Sequence, residues 1–518
     1  MLFAGTCDSE QPKTKDTQIL MTWRGPMKIS KYIWILGIAV TAAVIIVPIV
    51  LFVPEQTPNP DDPWTHVPNA TVHTDHTGLM VGPYETGMEV TQACLDCHPQ
   101  AANQVMHTSH FTWESEPVYV AERDETITLG KKNSINNFCI GIEGNWASCT
   151  ACHAGYGWID ASYTFSEQDD VDCLVCHDST GTYKKGKGGY PAEGVDLAAV
   201  AQGVASPSRE NCGGCHFKGG GGNAVKHGDL DESLYFPTAR IDVHMGKYDF
   251  QCVTCHQTDA HQIKGRSPSV SPGDLTKENQ VYCTDCHNET PHTDQRINEH
   301  TDSVACQTCH IPTMAKKEAT KIHWDWSTAG QDIPEDTHEY LKIKGSFAYE
   351  KNLPPEYYWY NGTTGRYLKG DPINPDGPTD MNAPKGNIDD SAAKIWPFKV
   401  HRGSQVYDAV YNYFLVPTTA GEGGYWTEFD WDKALRLGEE NSGLKYSGEY
   451  DFTTTEMFWP TTHMVSPKED ALQCIDCHSE NGRLDWTALG YDGDPVKYGG
   501  RPLHPPTTQL LPQEDAQQ

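Results

Sequence analysis

Eight times in this chain a Cys-x-x-Cys pair is followed at once by histidine, and no other feature limits the fold so severely. The eight are Cys94/Cys97/His98, Cys149/Cys152/His153, Cys173/Cys176/His177, Cys212/Cys215/His216, Cys252/Cys255/His256, Cys283/Cys286/His287, Cys306/Cys309/His310 and Cys474/Cys477/His478. Bare Cys-x-x-Cys pairs serve structural zinc, disulfides or thiol redox chemistry, none of which needs histidine in the next position. With 23 His among 518 residues, eight such coincidences have a probability on the order of 10⁻¹¹. Attachment of c-type haem does need that histidine: the thiols add to the haem vinyl groups and the adjacent imidazole reaches the iron. The sequence predicts eight covalent haems c.

These cofactors account for an unusual composition. Hydrophobic residues make up 37% of the chain, below the roughly 45–50% of ordinary domains. Haem plates replace the missing Leu and Phe as core. The expected fold is a multihaem cytochrome c, mainly short α-helices and irregular loops wrapped around a stacked haem core, with little β. The 39 Lys+Arg against 70 Asp+Glu, net −31, exclude nucleic acid as a partner, since its phosphates require a basic footprint.

Residues 32–53 run without a charge, long enough for a membrane helix. Arg24, Lys28 and Lys31 precede this run and Glu55, Asp61 and Asp62 follow it. By the positive-inside rule this predicts a single-pass anchor in the cytoplasmic membrane, residues 1–31 cytoplasmic and the haem domain outside. The run is longer than a signal peptide's apolar region and lacks an A-x-A-like site, so an uncleaved anchor is expected. Met27 reads as an alternative start. A Pro-rich linker, 54–72, comes next.

Seven motifs crowd into residues 73–311, with start-to-start spacings of 55, 24, 39, 40, 31 and 23. So little chain between motifs holds the haems close together. The eighth motif, in 471–490, follows a gap of 168 residues from the seventh. The intervening 312–470 is rich in aromatics and punctuated by Gly, Pro and Asn. It is expected to be an irregular haem-free lobe; 491–518 is a tail.

An iron devoted to electron transfer takes a sixth ligand, usually a second histidine. The contexts of His76, His110, His227, His244, His261, His292, His300 and His463 suit distal ligation. His66, His73, His338 and His504 read as solvated; His107, His323 and His401 stay open. Two cysteines lie outside the motifs. Cys7 precedes the apolar run, and Cys139 reads either as a small buried apolar residue or as a thiol lining a redox pocket.

The strings LGKKNSINNFCIGI, CTACHAGYGW, CGGCHFKGGGGNAVKHGDLD, WDWSTAGQ, YSGEYDFTTTEMFWP and HMVSPKEDALQCIDCHS resemble the octahaem tetrathionate reductase family. The likeness spans residues 129–479. It implies a haem core related to pentahaem nitrite reductases and hydroxylamine oxidoreductase, with a catalytic haem ligated by a lysine from outside the haem motif. Lys131-Lys132 matches that stretch, and either is a candidate. A desolvated Lys beside ferric haem loses its proton and becomes a strong σ-donor.

Three functions follow. One is a terminal reductase of a sulfur or nitrogen oxyanion (tetrathionate, nitrite or hydroxylamine), fed by a quinol-oxidising or other donor protein. The others are a non-catalytic electron conduit and an outward-running oxidase. An anionic substrate approaching a chain of net −31 needs a local positive funnel. Lys131, Lys132, Lys184, Lys185, Lys218 and Lys226 flank the second to fourth motifs and are placed to form one.

Overall fold

The computed structural model describes residues 35, 37–44, 62–68, 72–115, 117–120, 123–138, 141–265 and 279–501. The chain divides into two units, residues 1–65 and residues 66–518. In the first, the described stretch 37–44 is helical. It does not carry the expected anchor. Among the described residues no helix is long and apolar enough to cross a membrane, since a span needs about 20 consecutive apolar helical residues. The single-pass topology inferred from 32–53, and the placement of the haem domain that rested on it, are therefore withdrawn.

In the second unit the haem motifs sit on single helical turns: Leu174–His177, Arg209–His216, Cys252–Cys255, Cys306–His310 and Cys474–Cys477. One turn brings the two cysteines onto one face with the histidine beside them. The connecting helices are equally short, and aspartates fix their starts. Asp196 caps the helix Leu197–Gln202 through the amide of Ala199, and Asp242 caps Val243–Tyr248 through that of Met245. Small apolar clusters such as Met80, Val90, Leu174, Leu197, Val200 and Ala201 stitch these pieces together.

Strands β1 (Val118–Val120) and β2 (Glu125–Ile127) form one short hairpin, and β3 (Thr258–Asp259) and β4 (Gln262–Ile263) another. The remaining strands all belong to the lobe: β5 (Thr320–Asp325), β6 (Tyr340–Leu341), β7 (Gly345–Glu350), β8 (Glu356–Tyr360), β9 (Thr379–Asp380), β10 (Lys394–Asp408) and β11 (Tyr450–Pro460). They make a mixed sheet in the order β6-β7-β5-β10-β11-β9, with β8 paired to the start of β10. The segment expected to be irregular is thus organised around one long strand. Eleven residue pairs join β10 to β11, from Phe398↔Pro460 to Asp408↔Tyr450. The aromatics read from the sequence are its core: Trp324, Trp326, Phe347, Phe414 and Trp459 pack with Ile135 and Phe138 from the second motif's approach. The lobe is therefore anchored on the segment leading to Cys149.

Candidate functional site

The histidines show how the chain is prepared for iron. Nδ1 of His177, His256 and His478 lies 2.8, 2.7 and 2.7 Å from Ala205 O, Lys264 O and the Asp494 carboxylate. Nδ1 of His76 and His300 meets Thr74 O and Arg296 O at 2.7 Å each. These oxygens only accept, so each Nδ1 carries the proton and each Nε2 keeps a free lone pair. That is how ligating histidines are oriented.

Six of the eight proposed distal histidines face a motif histidine. Ring centres are separated by 6.5 Å for His76/His98, 6.1 Å for His110/His216, 6.1 Å for His244/His287, 6.2 Å for His463/His256, 5.9 Å for His292/His310 and 6.2 Å for His300/His478. Two imidazoles on one iron put their ring centres roughly 6 Å apart. Burial pushes His216 down to about 3 and lowers His110 as well, yet both rings expose area to interior space. The residues fit the group their sequence calls for.

The other two proposed ligands are placed differently. His227 packs edge-on against Trp459 at 5.0 Å and faces no motif histidine. His261 is held by Gln104 at 2.8 Å and lies in the electrostatic neighbourhood of His177, as does His73. Of the open cases, His107 loses to His110, which faces His216. His401 is buried on β10 and bonded to Asn137 at 3.0 Å. Cys7 and Cys139 lie outside the described residues.

Sulfur contacts give the order of the motifs in space. Cys94 is hydrogen-bonded to Cys173, Cys252 to Cys212 and Cys306 to Cys283. Cys212 neighbours Cys176, Cys283 neighbours Cys255, and Cys309 neighbours Cys477. First, third, fourth, fifth, sixth, seventh and eighth motifs thus form a line. The second joins it from the side, through Cys152 and Cys215.

The first motif departs from the enclosed core that the sequence predicts. Cys97 and His98 are not buried as that core would require: both are exposed, within a run from Asp96 to Gln100 that is exposed throughout. The cause is position. The helix Gly87–Leu95 turns Val90 and Thr91 inward and brings Cys94 to Cys173, and the chain then leaves the core. A motif at the end of the line has a neighbouring motif on one side only. His98 nonetheless keeps its place opposite His76, so the exposure corrects the expected burial of Cys97 and His98 rather than their pairing.

The second motif folds differently again. In the motifs beginning at Cys94, Cys252, Cys283 and Cys474 the histidine amide donates to the first cysteine's carbonyl at 2.8–2.9 Å. His153 N instead donates to Thr150 O at 2.8 Å, and the chain leaves in extended conformation. The imidazole enters a box of Phe111, Trp113, Trp158, Tyr163 and Phe165, with ring centres 4.9–6.0 Å away. Its Nε2 donates to Phe111 O at 2.6 Å, while Nδ1 is buried without a partner. Burial pushes its pKa down to about 3. The nitrogen that serves iron elsewhere is committed here to a backbone carbonyl.

Cations take the place of imidazoles around this motif. Lys131 Nζ lies 4.0 Å over the Trp113 ring and acts electrostatically on Cys152. Lys132 points elsewhere: its Nζ pairs with Glu114 at 3.2 Å, lies 4.5 Å over Phe165, and lines a cavity of about 340 Å³. The two lysines are thereby distinguished. Of the remaining proposed funnel lysines, Lys185 is bonded to Asp172 at 2.5 Å and Lys218 to Glu232 at 2.9 Å. Lys226, half-buried, sits 4.4 Å over Trp459; enclosure beside Lys131 and Arg366 pushes it down to about 7. Arg366 was not foreseen. It stands over 200 residues beyond Cys152, in the lobe, and only the fold brings it near.

Comparison with known proteins agrees with this picture. The family described as "Cytochrome c bacterial" matches residues 321–481, and that described as "Cytochrome c7 and related cytochrome c" matches 238–318. An uncharacterised protein from Archaeoglobus fulgidus is 24% identical over 240 residues, 36% of this chain and 80% of its own. The crystal structure of an octahaem cytochrome c from Shewanella oneidensis is 50% identical with a TM-score of 0.78, covering 84% of this chain and 100% of that one.

Proposed function

This chain belongs to the octahaem cytochromes c, with eight covalently bound haems and electron-transfer partners, and from that premise we propose that it is a terminal reductase of a sulfur or nitrogen oxyanion. The observation carrying this reading is the second motif. It alone stands off the line of sulfur contacts, and it alone is surrounded by lysine amines rather than facing histidines. An electron that reaches a side branch has nowhere further to go within the protein, which suits a site where electrons leave for a substrate.

Haem at the second motif supplies one-electron equivalents to a bound molecule. The protein's own groups do the rest. Lys131, with no acceptor among the described residues, offers its neutral amine as the axial ligand. Lys132, committed to Glu114, does not. His153 holds the loop through Phe111 instead of ligating. Tetrathionate takes up two electrons into its central S–S bond, which breaks to give two thiosulfates. No proton is consumed, so no general acid is required, and the site needs only cations to hold the dianion. Nitrite and hydroxylamine are the nitrogen counterparts.

A second reading has its own support: the other seven motifs form an unbranched line, which suits a conduit that passes electrons to another protein. Low-temperature EPR of the holoprotein with and without tetrathionate, nitrite or hydroxylamine separates the two. The reductase shows one non-bis-His iron whose signal responds to substrate. Eight bis-His signals without response would establish the conduit.

A further inference from the structure

We propose that Arg366 and Lys226 form an anion clamp beside the second motif, with the Trp459 indole as its wall, and that this clamp holds the sulfur oxyanion; the assignment rests on the reductase reading above. The lobe thus acquires a role beyond covering the haem core, since it supplies both Arg366 and Trp459.

Arg366 is fixed in place. Leu368 pairs with Ser134 as an isolated β-bridge, which lays the segment against the loop that carries Lys131. The segment is further pinned by Leu368 N to the Asp371 carboxylate at 2.8 Å and by Tyr367 Oη to Asp371 O at 2.9 Å. Yet Nε and Nη2 of Arg366 are buried with no hydrogen-bond partner. A buried charged donor left without an acceptor costs about 1–3 kcal/mol or more, and such groups are rare unless a ligand engages them. The indole N–H of Trp459 is likewise buried without an acceptor. Lys226 rests over the face of that indole, and its ammonium has no acceptor among the described residues.

Other enclosed cations of this chain are paired with carboxylates: Lys185 with Asp172, Lys369 with Glu143 and Arg209 with Asp249. A protein with 70 acidic residues has no shortage of partners. That Lys131, Lys226 and Arg366 are electrostatic neighbours of one another or of Cys152, with no carboxylate among them, leaves a concentrated positive site. Its unfilled donors are a planar guanidinium fork, an ammonium and an indole N–H. A guanidinium fork binds two oxygens of one tetrahedral or planar oxyanion side by side. A terminal sulfonate offers that geometry, and the second cation suits the charge of a dianion.

The test is thiosulfate binding to the oxidised holoprotein, by calorimetry and by the EPR signal of the second haem. Compared are wild type, Arg366→Gln, Arg366→Lys and Lys226→Gln. Arg366→Gln should raise the thiosulfate Kd about 10- to 100-fold, as expected for loss of a charged hydrogen-bonding partner. Arg366→Lys should recover part of the loss, because it restores charge but not the fork. Haem content and bis-His signals should remain those of wild type, and with tetrathionate KM should rise more than kcat falls. If Arg366→Gln fails to assemble, Arg366→Lys and Lys226→Gln still decide. Variants with full haem content that bind thiosulfate within about twofold of wild type would overturn the clamp while leaving the reductase reading intact. A wild-type protein whose second haem responds to no oxyanion would remove both.

Discussion

A lysine amine ligates iron only when unprotonated and unclaimed, and Lys131 and Lys132 differ in that second respect. Lys132 is held by Glu114 at 3.2 Å; Lys131 meets only the Trp113 face. Replacing Lys131 by Ala should therefore shift one haem in spin state and potential. Turnover should fall about 10²-fold or more, as when a metal ligand is lost. Haem content should be unchanged. Lys131→Arg should be as damaging, because guanidinium has no lone pair to offer. Lys132→Ala should leave the EPR spectrum as it was. A spectrum that changes with Lys132 and not with Lys131 would reverse the assignment. The sequence brought this pair to notice but gave no means of choosing, since adjacent residues on an irregular loop point in directions set only by what packs on either side. Attachment residues, by contrast, were fully legible: a covalent motif is local in sequence and its meaning does not depend on the fold. Their burial was not, as the exposed Cys97 and His98 show, because it depends on which motif ends the line. Arg366 was illegible for a related reason, belonging to a site assembled across more than 200 residues.

At the scale of elements, the helix Trp431–Ser442 shows how tightly the lobe is built. Asp430 caps its start, Gly443 ends it at φ 76°, and Ala434, Leu435, Gly438 and Glu439 face inward. A Cβ on Gly438 would meet Val416 O at 1.7 Å. Gly438→Ala must push the helix away from that backbone and should destabilise by about 1–3 kcal/mol, measured by denaturant unfolding of the holoprotein. Glu439 accepts from Val416 N at 2.7 Å and Ser442 Oγ at 3.0 Å, and is 2% exposed. Burial raises its pKa from 4.5 to about 7, helped by Glu143 and opposed by Lys369. The folded state therefore holds a proton that the unfolded state has released between about pH 4.5 and 7, and stability falls as pH rises through that window. Glu439→Gln should flatten that part of the stability profile by about 1–3 kcal/mol. An unchanged slope would place the titration elsewhere. Sequence patterning missed this lobe's sheet because its long strand, β10, is buried on both faces at Ile395, Phe398, Val400 and Val406 while carrying buried Lys399 and His401. No period-2 alternation survives in such a strand.

Across the whole molecule the arrangement of motifs makes a directional claim. Electrons reach the second haem from the fourth, while the eighth stands at the far end of the line. Exchanging a distal histidine for methionine raises a haem's potential, turning it into a step from which electrons must climb. Each added 59 mV of climb costs about tenfold for a one-electron transfer. His110, facing His216, guards the junction; His300, facing His478, sits at the end. His110→Met should therefore slow steady-state turnover with a small-molecule reductant by about tenfold or more. Because such a reductant enters along the whole line, His300→Met should leave turnover within about twofold. Both variants should keep eight haems, and each should show one altered low-spin signal. Equal slowing by both would mean that electrons enter only at the eighth haem. No slowing by His110→Met would mean that the second haem is fed from elsewhere and is not a branch. The difference between the two tests whether sulfur contacts between motifs, read from the protein alone, report the wiring of the haems they hold.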